Sequence, residues 1–362
     1  MSEPSTPFPL LAEPEGYVSC EHDLNRMDDL RAYALDLFGR HLDTMADEVQ
    51  NRNPFGAETA ERVGIMTRRF REALDVVESD TARRGRLHII DICAMREDAL
   101  RAAGIDDVYK DAKERENRAA IELYDRVVSD LDAMSPPKRA HAVIQGIFAG
   151  NIFDLGATET VERFRETSVD FLEVRRQLRP RPWLVDDLDG WLRRREGPPH
   201  RSAVLFVDNA GTDVILGMIP FARQLLRDGT DVLLTANTTP SLNDVTHDEL
   251  AALVDELAGR DVILADALAD GRLELVPSGN GLPLIDLTLT GFELAEAVTR
   301  RRVDLVVLEG MGRAVESNFQ ATFTCDALKI AMLKDAGIAK LLDGVTYDLV
   351  LRFDEAGAAE GE

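Results

Sequence analysis

The chain has 362 residues, of which 45% are apolar and 30% charged, enough for one large domain or two ordinary ones with a buried core. Its 66 acidic against 42 basic residues give a net charge of −24, a field that repels phosphate backbones and anionic lipid and argues against nucleic-acid or membrane-surface partners. Three scattered cysteines (Cys20, Cys93 and Cys325) exclude a disulfide framework or a paired-cysteine zinc site. The acidic, Pro-rich start carries no secretory pattern, and no apolar run approaches the roughly 20 residues a bilayer span needs. A reduced, cytoplasmic protein is expected.

In chain order, Asp28–Asn51 places Leu30, Tyr33, Leu37, Leu42 and Met45 at helical spacing. Similar patterns predict helices over Glu58–Val77, Arg115–Met134 and Arg139–Gly150, while Leu87–Ala94 reads equally as strand or helix. Composition shifts across Arg179–His200, where RPRPW and GPPH break the helical pattern. The chain therefore divides into a helical N-terminal domain, 1–180, and an α/β domain, 181–362.

From Ser202 onward short β-branched runs alternate with helical stretches. Strands are expected at Ala203–Val207, Val232–Ala236, Val262–Ala265, Leu273–Val276, Val303–Leu308 and Thr346–Phe353. Helices are expected at Val214–Arg227, Thr246–Leu257 and Gly291–Arg301. This alternation predicts an α/β/α sandwich with a mainly parallel, Rossmann-like sheet.

Ligands bind outside the carboxyl ends of strands in such sheets, so the residues just after each run carry the functional expectation. They are Asp208-Asn209-Ala210-Gly211, then Asn237 through Asn243-Asp244, and Glu309-Gly310-Met311-Gly312-Arg313. Asp208, Asn209 and Asp244 offer hard oxygen ligands suited to one divalent cation such as Mg²⁺ or Mn²⁺. The competing reading is plain turn chemistry, because Asp and Asn both cap nearby backbone amides. Thr246 and Glu249 form a capping-box pair and are assigned a structural role. The two glycines of EGMGR let backbone approach an anion, with Arg313 adding a fork of donors. Lys329 sits on a helical pattern, where an ordinary surface lysine is the default. Neither a GxSxG elbow nor an HExxH pair is present.

The stretches VDNAGTDVILGMIPFARQLLRDGTDVLL, NDVTHDEL, DLVVLEGMGRAVESNF and CDALKIAMLK closely resemble the damage-control phosphatase family, also known as domain of unknown function 89. So do YKDAKERENRAA, FAGNIFDLGA and RPWLVDDLDGWLRRREGPPH, so the likeness runs from about Tyr109 to Phe353. EGMGR resembles the branch containing the C-terminal domain of animal pantothenate kinase 4 and its standalone plant counterparts. The resemblance implies that Asp208, Asn209 and Asp244 hold a divalent metal (Mn²⁺, Mg²⁺, Co²⁺ or Ni²⁺), with Asp208 and Asp244 catalytic. It implies that Glu309, Gly310, Met311, Gly312, Arg313 and Lys329 contact the substrate phosphate and that Asn151 and Asp154 line the same cleft. It further implies hydrolysis of a small phosphorylated metabolite, 4′-phosphopantetheine or its oxidised or damaged forms. A non-catalytic sensor with the same binding residues is the first rival and a carboxyl methyltransferase the second; self-association is left open. Thr212-Asp213 stands where other branches have Gly-Glu, which leaves Asp213 without an assigned role.

Overall fold

The structure, a computed structural model, describes residues 5–53, 56–79, 85–152 and 171–357. Helices α1 (Asp28–Arg52), α2 (Ala57–Ser79), α3 (Ile89–Ala102), α4 (Lys110–Asp132) and α5 (Pro136–Asn151) precede the short α6 (Phe171–Gln177). The ambiguous Leu87–Ala94 segment resolves as the start of α3, whose first turn is held by Asp91 accepting from the His88 amide at 2.8 Å.

Strand β1 (Ser5–Thr6) pairs with β6 (Thr290–Gly291) in a small separate ribbon. The main sheet comprises β2 (Val185–Asp186), β3 (Ser202–Phe206), β4 (Asp231–Ala236), β5 (Leu273–Pro277), β7 (Leu305–Glu309), β8 (Asp326–Met332) and β9 (Leu349–Asp354). Its order is β2-β9-β8-β7-β3-β4-β5, parallel throughout except that β9 runs against β8. Between the strands lie α7 (Leu188–Arg194), a wide helical turn (Asp213–Met218) continuing into α8 (Ile219–Asp228), α9 (His247–Ala258), α10 (Val262–Ala269), α11 (Phe292–Arg301) and α12 (Ala336–Leu341).

The strand residues alternate between two cores, as a sheet covered on both faces requires. Ala203, Leu205, Leu305 and Val307 enter the core shared with α4, α5, α8, α9 and α10, while Val204, Phe206, Val306 and Leu308 enter the one under α11. Helices α4 and α5 thus share the sheet's own core, and hydrophobic packing crosses the composition shift at Arg179–His200. Helices α1 to α3 form a third cluster around Phe38, Phe70 and Ile92, which reaches the sheet layer through Leu284.

Two expectations are corrected. Val262–Ala265 is helical, not a strand: Asp261 caps it by accepting from the Ile263 and Leu264 amides, and only Leu264 and Ala267 turn inward. A four-residue apolar run carries no period with which to tell the two apart. The stretch around Lys329 is the buried central strand β8 and not a helix; its DALKIAM run is buried at every position, which removes the alternation that marks a strand.

Candidate metal and phosphate site

The sheet sets the position of the site. From β3 the chain steps outward to β4 and β5, then returns to β7 on the other side of β3, so the β3–β7 boundary is the point where strand order reverses. Helices flanking such a boundary leave in opposite directions and open a crevice above the strand tips. Asp208 follows β3 there, Glu309 ends β7, and Asn237 follows β4.

The loops after these strands are stitched together through backbone. The Val245 amide donates to Asp208 O at 3.0 Å, and the Ala210 amide donates to Asn243 O at 2.9 Å. These bonds bring Asn209 opposite Asp244. The capping box holds the segment from its far side: the Thr246 amide donates to Glu249 Oε2 at 2.9 Å, and Thr246 Oγ1 accepts from the Glu249 amide. Buried Lys113 pairs with Asp107 and Glu249 at 2.9 and 2.8 Å. Ser241 is held between Arg96 and Glu97 of α3. Two helices of the N-terminal half therefore brace the loop that carries Asp244.

Asp208, Asn209, Asp213, Asp244, Glu309 and Arg313 are all buried. Carboxylate oxygens of Asp208, Asp213 and Glu309 lie within 4.8 Å of one another. Asn209 Nδ2 donates to Asp208 Oδ2 and Asp213 Oδ2, both at 2.8 Å. With the amide nitrogen fixed by two acceptors, Oδ1 is the end of Asn209 left for a cation. The Arg313 guanidinium spans the site, pairing with Asp208 on one side and with Asp244 Oδ2 at 2.8 Å on the other. Asn237 adds a donor to the same Asp244 oxygen at 2.8 Å.

Burial raises the pKa of Asp213, with Lys334 opposing. Burial also raises the pKa of Glu309 well above the usual carboxylate range, reinforced by the negative charge of Asp213. Asp213 Oδ1 accepts no hydrogen bond among the described residues. Closely packed, imperfectly satisfied acceptors of this kind fit an oxygen-liganded divalent ion. Lys334 lines the cavity with Asp208, Asn209, Asn243, Asp244, Met311 and Gly312. Its other wall is α1, through Leu30, Tyr33, Ala34, Leu37, Phe38 and His41, and the cavity holds about 150 Å³.

The structure thus gathers Asp208, Asn209, Asp244, Met311 and Gly312 around one cavity, with Arg313 paired to Asp208 and Asp244, Glu309 accepting from the Asp208 amide and Gly310 against the Asp208 side chain. It does not bring two of the expected residues there. Lys329 points away from it, donating to Phe319 O and Ala321 O at 2.8 and 2.6 Å and pairing with Asp354 at 3.1 Å. Strand alternation explains this, since a buried lysine on β8 must find oxygens on whichever face its position dictates. Asn151 is occupied by protein: Nδ2 donates to Asp213 and Glu309 at 2.9 and 2.8 Å, and Oδ1 accepts from the Met332 amide at 3.3 Å. Asn151 reaches them because Gly150 lets α5 press on the Asp213 turn, where a Cβ would sit 2.8 Å from Asp213 Cα. Asp154 lies outside the described residues. Sequence reasoning passed over Lys334, five residues beyond Lys329 in KIAMLK, and gave Asp213 no role; position relative to the strand tip was the available signal for both.

A family model for the "Damage-control phosphatase ARMT1-like domain" matches residues 24–350. The chain is 43% identical over 265 residues to the damage-control phosphatase At2g17340 of Arabidopsis thaliana, covering 73% of this chain and 71% of that one. It is 39% identical to pantothenate kinase 2 of Arabidopsis thaliana, over 96% of this chain and 41% of that one. It is 31% identical to a 4′-phosphopantetheine phosphatase of Mus musculus, over 98% of this chain and 49% of that one. This chain therefore spans less than half the length of these last two relatives. A DUF89-family crystal structure from Pyrococcus horikoshii superposes with a TM-score of 0.57 at 14% identity, covering 86% of this chain and 96% of the other, which shows the shared fold. No helix among the described residues is long and apolar enough to cross a membrane.

Proposed function

Because this chain belongs to the damage-control phosphatase ARMT1-like family, we propose that its cavity hydrolyses a small phosphate monoester, 4′-phosphopantetheine or an oxidised or damaged form of it, with a divalent cation against Asp208, Asn209 and Asp244. The observation that carries this reading is the meeting of buried carboxylates with Arg313 and Lys334 at the reversal point of a parallel sheet. The mouse relative, a 4′-phosphopantetheine phosphatase, supports this substrate class. The apolar residues that α1 adds to the wall suit a carbon-rich alcohol.

The cation supplies Lewis-acid polarisation of a phosphoryl oxygen and a template for the ester. The chain's own residues do the rest. Arg313 ties Asp208 and Asp244 into one unit, so that both carboxylates keep their spacing as charge shifts. Lys334, on the cavity wall, meets the growing negative charge of the transferred phosphoryl group, where most catalysis of phosphoryl transfer resides. Asn151 and Asp213 hold Glu309 and Asn209 from behind, and α1 closes one side against bulk water. The attacking oxygen comes from water or from Asp208; borohydride reduction of acid-quenched enzyme separates these, since only an aspartyl phosphate at position 208 is reduced there to homoserine.

The test is hydrolysis of p-nitrophenyl phosphate and 4′-phosphopantetheine with and without EDTA. Loss of turnover on chelation and recovery with Mn²⁺, Co²⁺, Ni²⁺ or Mg²⁺ is the expected result, as is loss of turnover in Asp208→Ala with the fold retained. Binding without turnover under every metal would leave a sensor instead of an enzyme.

A further inference from the structure

The proposed mechanism leaves one buried group on the cavity wall unused. Asn243 stands between Leu242 and Asp244, its carbonyl tied to the Ala210 amide at 2.9 Å. Leu242 takes a φ of +49°, a turn that Ser241 and its Arg96–Glu97 partners hold in place. The Asn243 side chain is 1% exposed and lines the cavity beside Asp208, Asn209 and Asp244. Among the described residues neither its Oδ1 nor its Nδ2 has a hydrogen-bond partner. A buried carboxamide with both ends unmatched is costly to any fold, and native structures keep such groups where a ligand completes them.

We propose that Asn243 is a specificity-determining residue that reads a neutral donor–acceptor group, a hydroxyl or an amide, on the alcohol side of the phosphate ester. The proposal rests on the phosphatase reading of the same site. A carboxamide presents one acceptor and one donor side by side, which matches a hydroxyl or a secondary amide and offers little to a dianion. Charge recognition is already assigned to the cation and to Lys334 on the cavity wall. The cavity wall that Asn243 shares includes the apolar residues Leu37, Phe38, Leu242, Pro283 and Leu284. An alcohol entering between them meets Asn243, whose carboxamide has no partner among the described residues to give up. Substrates with a hydroxyl or amide a few atoms from the ester oxygen are therefore favoured over plain alkyl esters.

Two esters that differ in one group test this: 3-hydroxy-2,2-dimethylpropyl phosphate and its isostere 2,2-dimethylbutyl phosphate, in which methyl replaces hydroxyl. With Mn²⁺ present, the wild-type chain is expected to favour the hydroxyl ester at least about tenfold in kcat/KM, because a site built to hydrogen-bond a hydroxyl rejects the analogue lacking it. Asn243→Leu should bring the ratio to about one or below. An equal ratio in wild type and variant overturns the proposal, and so does a wild type that treats the esters alike, whether or not the variant folds. Hydrolysis of neither ester, nor of p-nitrophenyl phosphate, would remove the phosphatase reading alone. Calorimetric binding of the same pair then decides the role of Asn243, with equal affinities counting against it.

Discussion

Gly310→Ala tests how the β7 loop sets the position of the proposed metal ligand. Gly310 has a φ of +98° and passes so close to Asp208 that an added Cβ would lie 2.3 Å from both Cγ and Oδ2 of that side chain. The loop cannot yield easily, since the Gly310 amide donates to Ile330 O at 3.1 Å and its carbonyl accepts from the Ala314 amide at 2.9 Å. Relief to ordinary contact at 3.4 Å therefore moves the Asp208 carboxylate by about 1 Å. The positive φ costs about 1–3 kcal/mol and the overpacking a further ~1–3 kcal/mol, a large part of the ~5–15 kcal/mol that holds a typical protein together. A 1 Å displacement at a reacting centre lowers turnover about 100-fold. Guanidinium denaturation of the purified variant reads the first effect, and kcat on p-nitrophenyl phosphate with saturating Mn²⁺ reads the second. A variant matching wild type in both midpoint and kcat would refute the argument that this backbone approach fixes Asp208.

Arg313→Met removes the guanidinium that joins Asp208 to Asp244. Without added metal it should lose about 3–5 kcal/mol, the usual result of stripping one partner from a buried ion pair, and show a larger Mn²⁺-induced rise in Tm than wild type; equal metal shifts would contradict this. Lys334→Met should lower kcat/KM on p-nitrophenyl phosphate with saturating Mn²⁺ about 100-fold; an unchanged kcat/KM would remove Lys334 from the mechanism. The pH dependence of stability has a defined sign at Asp132, which hydrogen bonds from Arg223 at 2.8 Å hold below the usual carboxylate range. A depressed carboxylate stabilises the fold above its unfolded pKa and loses that contribution as pH falls through the folded value. The stability gap between wild type and Asp132→Asn should therefore be full at pH 7 and close below about pH 4, measured by denaturant melts at each pH; a gap that grows in acid would reverse the assignment.

The helical first half, the parallel α/β second half and the three strand tips that bear Asp208, Asp244 and the EGMGR loop were legible in the residue pattern, because these depend on local periodicity and on polar residues directly following buried runs. That pattern could not place Lys329, for a strand buried on both faces, such as Asp326–Met332, has no alternation to tell it from a helix or to show which way its lysine turns. Val262–Ala265 fails for the same reason, being too short to display a period, and its true marker was the Asp261 cap. The partners of Asp213 and Asn151 and the places of Lys334 and Asn243 on the cavity wall were decided by the tertiary structure. Each is decided by which strands become neighbours and by how closely α5 and the Asp244 loop approach them, contacts made across 62 to 181 residues of chain in the case of Asn151. Local propensity carries no information about partners that distant; packing the helices onto the sheet supplies it.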